Sequence, residues 1–201
     1  MPELAGTKWG ADRLGTDGGV VTWSLLDGDV AGFFGNGQSR SDDPEAFTNF
    51  GVRALFRQAF DAWSDVANIE FVEVREQGEA SRYGYASDIR IVFGRLDGPG
   101  DFLGRAGFPL SVPLPTEGDI LIDSSDANLG RERKKLLAVA THEIGHAIGL
   151  DHVDTEGALM FPNVQRSVSG PQLDDIDGAR QIYGRQDDQL ATLRMTDRAP
   201  D

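Results

Sequence analysis

The chain has 201 residues, and 19 Lys+Arg against 33 Asp+Glu leave a formal net charge of −14, so a phosphate backbone is repelled rather than gripped and nucleic acid is excluded as a first partner. With 39 % hydrophobic and 26 % charged residues the composition is that of a folded domain, and the length suits one of them. No run of about 18 apolar residues is present to span a bilayer, residues 1–10 lack the basic and apolar regions of a signal peptide, and zero cysteines remove disulfides, thiolate metal sites and thiol nucleophiles together.

After a mixed, Gly-rich opening to about residue 17, Val20 to Leu26 reads as a first strand closed by the turn residues Asp27, Gly28 and Asp29, with loop to Asp42. Asp43 before Pro44 offers a helix cap, and Phe47, Phe50, Ala54, Phe56, Phe60, Trp63 and Val66 follow at mostly three- and four-residue steps, so one long amphipathic helix is expected over 44–67. Ile69 to Val74 reads as a strand, and Ile89, Ile91 and Phe93 alternate with Asp88, Arg90 and Val92 in a third. Leu103 to Phe108 makes a short extended segment and Ile120 to Ile122 a fifth strand. From Arg131 the apolar positions Leu136, Leu137, Ala140, Ile144, Ala147 and Ile148 change to helical spacing and stop at Gly149. A third helix is expected over 172–183, its first turn carrying Asp174 and Asp175 where the helix dipole favours anions. The boundaries are an N-terminal segment 1–17, a single α+β domain 18–184 and a polar tail 185–201.

The informative segment is His142-Glu143-Ile144-Gly145-His146-Ala147-Ile148-Gly149-Leu150-Asp151-His152, which fits HExxHxxGxxH at every specified position. Residues four apart lie one above the other on a helix, so His142 and His146 can address one ion with Glu143 beside them. His152 cannot reach that ion from the same straight helix; Gly149, which tolerates positive φ, lets the chain turn back. Three neutral imidazoles suit zinc and leave a vertex for water, as in a catalytic site. A random chain of this length would show this pattern on the order of once in a hundred thousand, and all three histidines of the sequence lie within it.

This segment resembles the metzincin zinc endopeptidases, and Ala158-Leu159-Met160-Phe161-Pro162 looks like their Met-turn, with Met160 beneath the histidines. Within that group the chain is most similar to the matrixins, the matrix metalloproteinase type, from about Trp9 to Gly184. The resemblance is carried by residues 59–66, by Asp88 to Phe93, by Asp97-Gly98-Pro99-Gly100 and by Asp174 to Gly178 running to Tyr183 and Gly184. It implies an α+β metzincin catalytic domain: a twisted, mainly parallel five-stranded sheet with an antiparallel edge strand, and three helices. It also implies hydrolysis of internal peptide bonds by a metal-activated water with Glu143 as general base. A peptide or protein substrate, a monomer, no nucleic acid, no membrane span and an extracellular setting go with it. Two alternatives stay open: a catalytically silent zinc and calcium binding module, and a protease dedicated to one partner.

The resemblance further implies a structural calcium at Asp97, Asp123 and Asp126 with the carbonyls of Gly98, Gly100 and Phe102, and a weaker second site at Asp88 and Asp119. Hard oxygens in a glycine-rich loop are chemically apt for that ion. Gly104, Arg105 and Ala106 correspond to an edge strand that accepts a peptide as an added strand. Pro162 and Val164 correspond to the wall of the specificity pocket, and Ala138 to the residue that sets its depth. Several positions depart from the family. Arg105 and Leu121 stand where matrixins place ligands of a second, structural zinc, so one zinc per chain is expected. Val153 and Val164 replace a usual Ser and Tyr, and no cysteine switch can exist. The HEIGHxxGLxH helix and a tryptophan-bearing first strand are also similar to serralysins, whose Met-turn tyrosine and glycine-rich repeats are absent.

Overall fold

The computed structural model describes residues 4–26, 28–29, 40–75, 87–98, 100–109, 117–163 and 165–186. The β-branched and aromatic run Val20–Leu25 forms β1, and Gly28–Asp29 (β2) pairs antiparallel with Arg40–Ser41 (β3). The expected turn and loop between Asp27 and Asp42 is therefore corrected: its two ends pair with each other, through short polar stretches that carry no alternating apolar signal.

The single helix expected over 44–67 is two. Asp43 caps α1 (Pro44–Phe47) by accepting from the Glu45 N–H, as read from the sequence, but the chain then leaves helical geometry at Thr48 and re-enters at Gly51 as α2 (Val52–Ser64). Thr48 donates its hydroxyl to the Phe50 carbonyl at 2.6 Å, offering the backbone an alternative to the helix, and Gly51 lowers helical propensity at the same spot. The break lets Phe47 meet Phe93 at a ring separation of 5.5 Å. Beyond it, Phe56, Phe60 and Trp63 of the expected stripe are buried, joined by Val52, Leu55 and Ala59, while Ala54, also expected on that stripe, is exposed.

Glu70–Glu73 (β4), Ile89–Gly94 (β5), Gly104–Ala106 (β6) and Ile120–Asp123 (β7) complete the main sheet. Its order is β4-β1-β5-β7-β6, parallel throughout except for β6, which runs antiparallel to β7 with Arg105 opposite Leu121. The mainly parallel five-stranded sheet with an antiparallel edge is thus the one observed. β5 does not alternate between core and solvent, because it lies between β1 and β7 with both faces covered. Ile89, Ile91 and Phe93 enter the main core, while Val92 and Leu121 pack with Leu26 and Leu96 on the other side.

Arg133–Ala147 forms α3 and Leu173–Tyr183 forms α4. Against the sheet, Trp23 stacks on Phe60 at 4.7 Å, and the Trp63 indole N–H donates to the Thr141 carbonyl at 2.9 Å, fastening α2 to α3. Every α3 residue from Leu136 to Ala147 is buried, so the one-sided stripe read from the sequence understates its enclosure. A helix covered all round is apolar or internally partnered all round; here small residues and the two histidines fill the remaining faces.

Candidate metal centre and cleft

Helical spacing stacks His142 and His146 on α3, and the turn that follows the helix supplies His152. Gly149 adopts φ 97°, with its N–H bonded to the His146 carbonyl and the Leu150 N–H to the Gly145 carbonyl, both at 2.9 Å. These paired bonds close a helix at a left-handed glycine and reverse the chain, as its place in the sequence predicts. One ligand nitrogen from each of the three histidines then falls within 4.8 Å of the others, the sole such cluster among the described residues.

The donor set fits zinc. His142 Nδ1 lies 2.7 Å from the Leu159 carbonyl, and His146 Nδ1 lies 2.8 Å from the Leu150 carbonyl. A carbonyl only accepts, so each Nδ1 carries the proton and each Nε2 presents a lone pair. Burial holds both imidazoles neutral: the His142 pKa falls to about 4 and the His146 pKa to about 3, the latter helped by the neighbouring His142. Glu143 is enclosed as well, and burial raises its pKa to about 8. A cation at the triad acts in the opposite direction and favours the carboxylate.

Met160 is fully buried against α3; a Cβ on Gly145, which lies between His142 and His146 in the chain, would stand 2.4 Å from its sulfur. What holds the Met-turn is Asp175, read from the sequence as a dipole charge. It has no exposed surface, and its carboxylate accepts from the backbone N–H groups of Leu159 (2.7 Å), Met160 (2.9 Å) and Gln172 (2.7 Å). The signal available was Gln172 three residues before Asp175, a reciprocal cap in the structure. Asp174 has the outward role, accepting from the Thr155 hydroxyl at 2.5 Å.

A cleft of about 600 Å³ runs past the histidines and Glu143. Leu96, Asp97 and 101–106 form one side, with Gly104, Arg105 and Ala106 as expected; Pro162 and Asn163 form the other. β6 ends the sheet among the described residues, so one of its edges has no strand partner among them. Gly104 lies against the general-base candidate: a Cβ at this position would meet Glu143 Oε1 at 2.8 Å. Ala138 is fully buried and is not among the lining residues, and Val164 lies outside the described residues. Asn163 lines the cleft beside Pro162, in the stretch expected to form the pocket wall, and Asp101 lines it without having been singled out.

Asp97, Asp123 and Asp126 do not form a three-carboxylate cluster among the described residues. Asp97 accepts from the Phe102 N–H at 3.3 Å, and Asp123, fully buried, accepts from the Leu96 N–H at 3.2 Å and from Ser125. Gly98 and Gly100, at φ 115° and 100°, turn the loop between them. Asp126 instead pairs with Lys135 at 3.1 Å and accepts from the Asn128 and Leu129 N–H groups. Burial works against its charge, but these donors outweigh it and its pKa lies below the ordinary range. Asp119 is committed to Arg90 in a buried ion pair, and Asp88 accepts from the Thr22 N–H and hydroxyl. Of the two positions expected to lack structural-zinc ligands, Arg105 is exposed on β6 and Leu121 is in the apolar cluster already described.

The matrixin family model matches residues 39–184. The chain belongs to the matrixin family. Similar proteins include the hatching enzyme of Paracentrotus lividus, 39 % identical over 139 residues, covering 66 % of this chain and 22 % of that protein. Matrix metalloproteinase-17 of Homo sapiens is 38 % identical over 132 residues (60 % and 20 %), and stromelysin-3 of Rattus norvegicus 36 % over 144 residues (67 % and 27 %). The matrixin domain described here thus spans about a fifth to a quarter of the relatives it matches. No helix among the described residues is long and apolar enough to cross a membrane.

Proposed function

We propose that this matrixin domain is a zinc-dependent endopeptidase acting on internal bonds of extended peptides. The observation that carries the reading is the convergence of three imidazole donors beside an enclosed carboxylic acid on the wall of an open cleft. His142, His146 and His152 would hold the ion, which supplies a Lewis acid and a nucleophile usable at neutral pH. Glu143 takes the proton released in the attack and returns it to the departing amine; the burial that raises its pKa suits the donating half of that cycle. β6 offers unpaired backbone to the substrate as an added antiparallel strand, orienting the scissile bond across the triad. Gly104 leaves Glu143 room against that strand.

A structural calcium belongs to the same proposal, narrowed to Asp97 and Asp123 with the carbonyls of the loop between them, since Asp126 and Asp119 already have protein cations. An extracellular setting, where calcium is millimolar, follows from that site. The retained Glu143 argues for turnover rather than a silent binding module. A peptide-library digest with and without a chelator tests the reading, alongside Glu143→Ala. We expect cleavage that the chelator stops, and a variant that keeps zinc but loses roughly 10²- to 10⁴-fold in rate. Chelator-resistant cleavage, or an active Glu143→Ala, would overturn the assignment.

A further inference from the structure

Two of the three histidines have their rings fixed by a backbone carbonyl; the third does not. His152 is exposed, and among the described residues its ring nitrogen meets only His146, at 3.2 Å. Its place is therefore set by the backbone of the turn 149–152. On one side the turn is tied to the Met-turn, by the Val153 N–H to the Met160 carbonyl at 3.0 Å. On the other it is tied to residues 4–9, far away in sequence, which lie across the end of α3.

That segment, together with Tyr183 of α4, satisfies the carbonyls at the end of α3 in succession. The Trp9 indole N–H donates to Ala147 at 2.8 Å, the Tyr183 hydroxyl to Ile148 at 2.8 Å, and the Ala5 N–H to Gly149 at 2.9 Å. Leu4 forms a bridge with Leu150, whose own carbonyl orients His146. The Tyr183 oxygen also accepts from the Trp9 N–H at 3.3 Å. The fit over the turn is close: a Cβ on Gly149 would stand 2.4 Å from the Thr7 carbonyl oxygen. Helix ends carry carbonyls with no intrahelical partner, and here the donors that meet them also hold the turn leading to the third ligand.

We propose that Trp9 is a positioning residue for His152, fixing the strap 4–9 over the Gly149 turn and so the geometry of the third zinc ligand. The inference rests on the zinc-triad reading. Groups outside the ligand shell that orient metal ligands typically change affinity by 10- to 100-fold when removed.

Trp9→Phe keeps an aromatic ring but has no N–H for Ala147; Tyr183→Phe removes the hydroxyl shared by Ile148 and Trp9. For each variant and the wild type we would measure the zinc dissociation constant by competition with a chromophoric chelator. The visible spectrum of the cobalt(II)-substituted protein and kcat and KM on one peptide complete the set. Both variants should bind zinc roughly tenfold or more weakly, show an altered cobalt band, and lose kcat with KM within about twofold, since the cleft walls are untouched. Should Trp9→Phe fail to fold, Tyr183→Phe carries the same test. A zinc constant within twofold of wild type overturns the inference, whatever happens to the melting temperature. A wild-type protein that binds no zinc overturns the metal-site reading and this inference with it.

Discussion

Replacing Asp175 by Asn tests how much of the metal centre depends on one buried carboxylate. Its Oδ2 accepts from Leu159 and Gln172 and its Oδ1 from Met160, with no exposed surface on the residue. Asn has the same shape, but one oxygen becomes an NH₂ donor. The N–H group that faces it loses its acceptor, costing about 1–3 kcal/mol for an unsatisfied buried donor, and each bond retained loses its charge assistance, about 1 kcal/mol apiece. The sum is roughly 3–5 kcal/mol, and at about 2–4 °C per kcal/mol for a chain of this size the melting temperature falls by roughly 6–20 °C. The damage reaches zinc, because the Leu159 carbonyl whose neighbouring N–H is released is the one that orients His142. Calorimetry of the zinc-free protein reports the first effect and chelator competition the second. Asp174→Asn is the control, altering an outward-facing hydrogen bond to Thr155; surface changes of that kind stay within about 0.5 kcal/mol. If Asp175→Asn melts no lower than Asp174→Asn, the carboxylate does not hold the Met-turn and the reasoning fails.

The zinc-free protein should be most stable near pH 6.5. His142 and His146 have folded pKa values of about 4 and 3 against 6.5 unfolded, so the unfolded chain binds more protons as pH falls and stability drops on the acid side. Glu143 has the opposite sign: its pKa of about 8 against 4.5 means the fold binds the extra proton, and that contribution is lost as pH rises through 8. Denaturant titrations across pH 4–9 check this, and Glu143→Gln should remove the alkaline limb; a limb that survives would contradict the assignment. Calcium removal should lower the melting temperature by a few degrees, restored by titrating calcium back, and the loss should vanish in Asp97→Asn. No calcium-dependent shift in the wild type would refute the narrowed site.

What could be read from the sequence was chemistry confined to one element or one turn. The spacing of His142 and His146 and the need for positive φ at Gly149 follow from helix geometry within eleven residues, and both are found. Four of the strands were visible as β-branched or aromatic runs and Leu103 to Phe108 as a short extended segment, and the family resemblance supplied a mainly parallel sheet with an antiparallel edge. The helix break at Thr48–Gly51 was missed because the apolar spacing continues across it; the side-chain hydrogen bond from Thr48 and the meeting of Phe47 with Phe93 decide it. Asp175 and Trp9 were invisible for a different reason. Their partners lie on other elements, Trp9 being 138 residues from Ala147, and nothing in their local pattern separates a buried clamp from an ordinary cap or surface ring.

The acidic positions expected to hold calcium follow a common logic. A buried carboxylate requires a counter-charge or donors, and a metal ion is only one source of them. At Asp119 the source is Arg90 from the neighbouring strand; at Asp126 it is Lys135 from the first turn of α3 together with two backbone N–H groups. Where matrixins are expected to place structural-zinc ligands, Leu121 joins an apolar cluster that needs no ion. Cations tethered by the chain are present at any metal concentration. Asp97 and Asp123, linked to backbone N–H groups and the Ser125 hydroxyl and to no lysine or arginine among the described residues, retain acceptor capacity that a calcium ion would use, as does Asp88 beside Thr22. This is why calcium removal is expected to cost a few degrees rather than the fold.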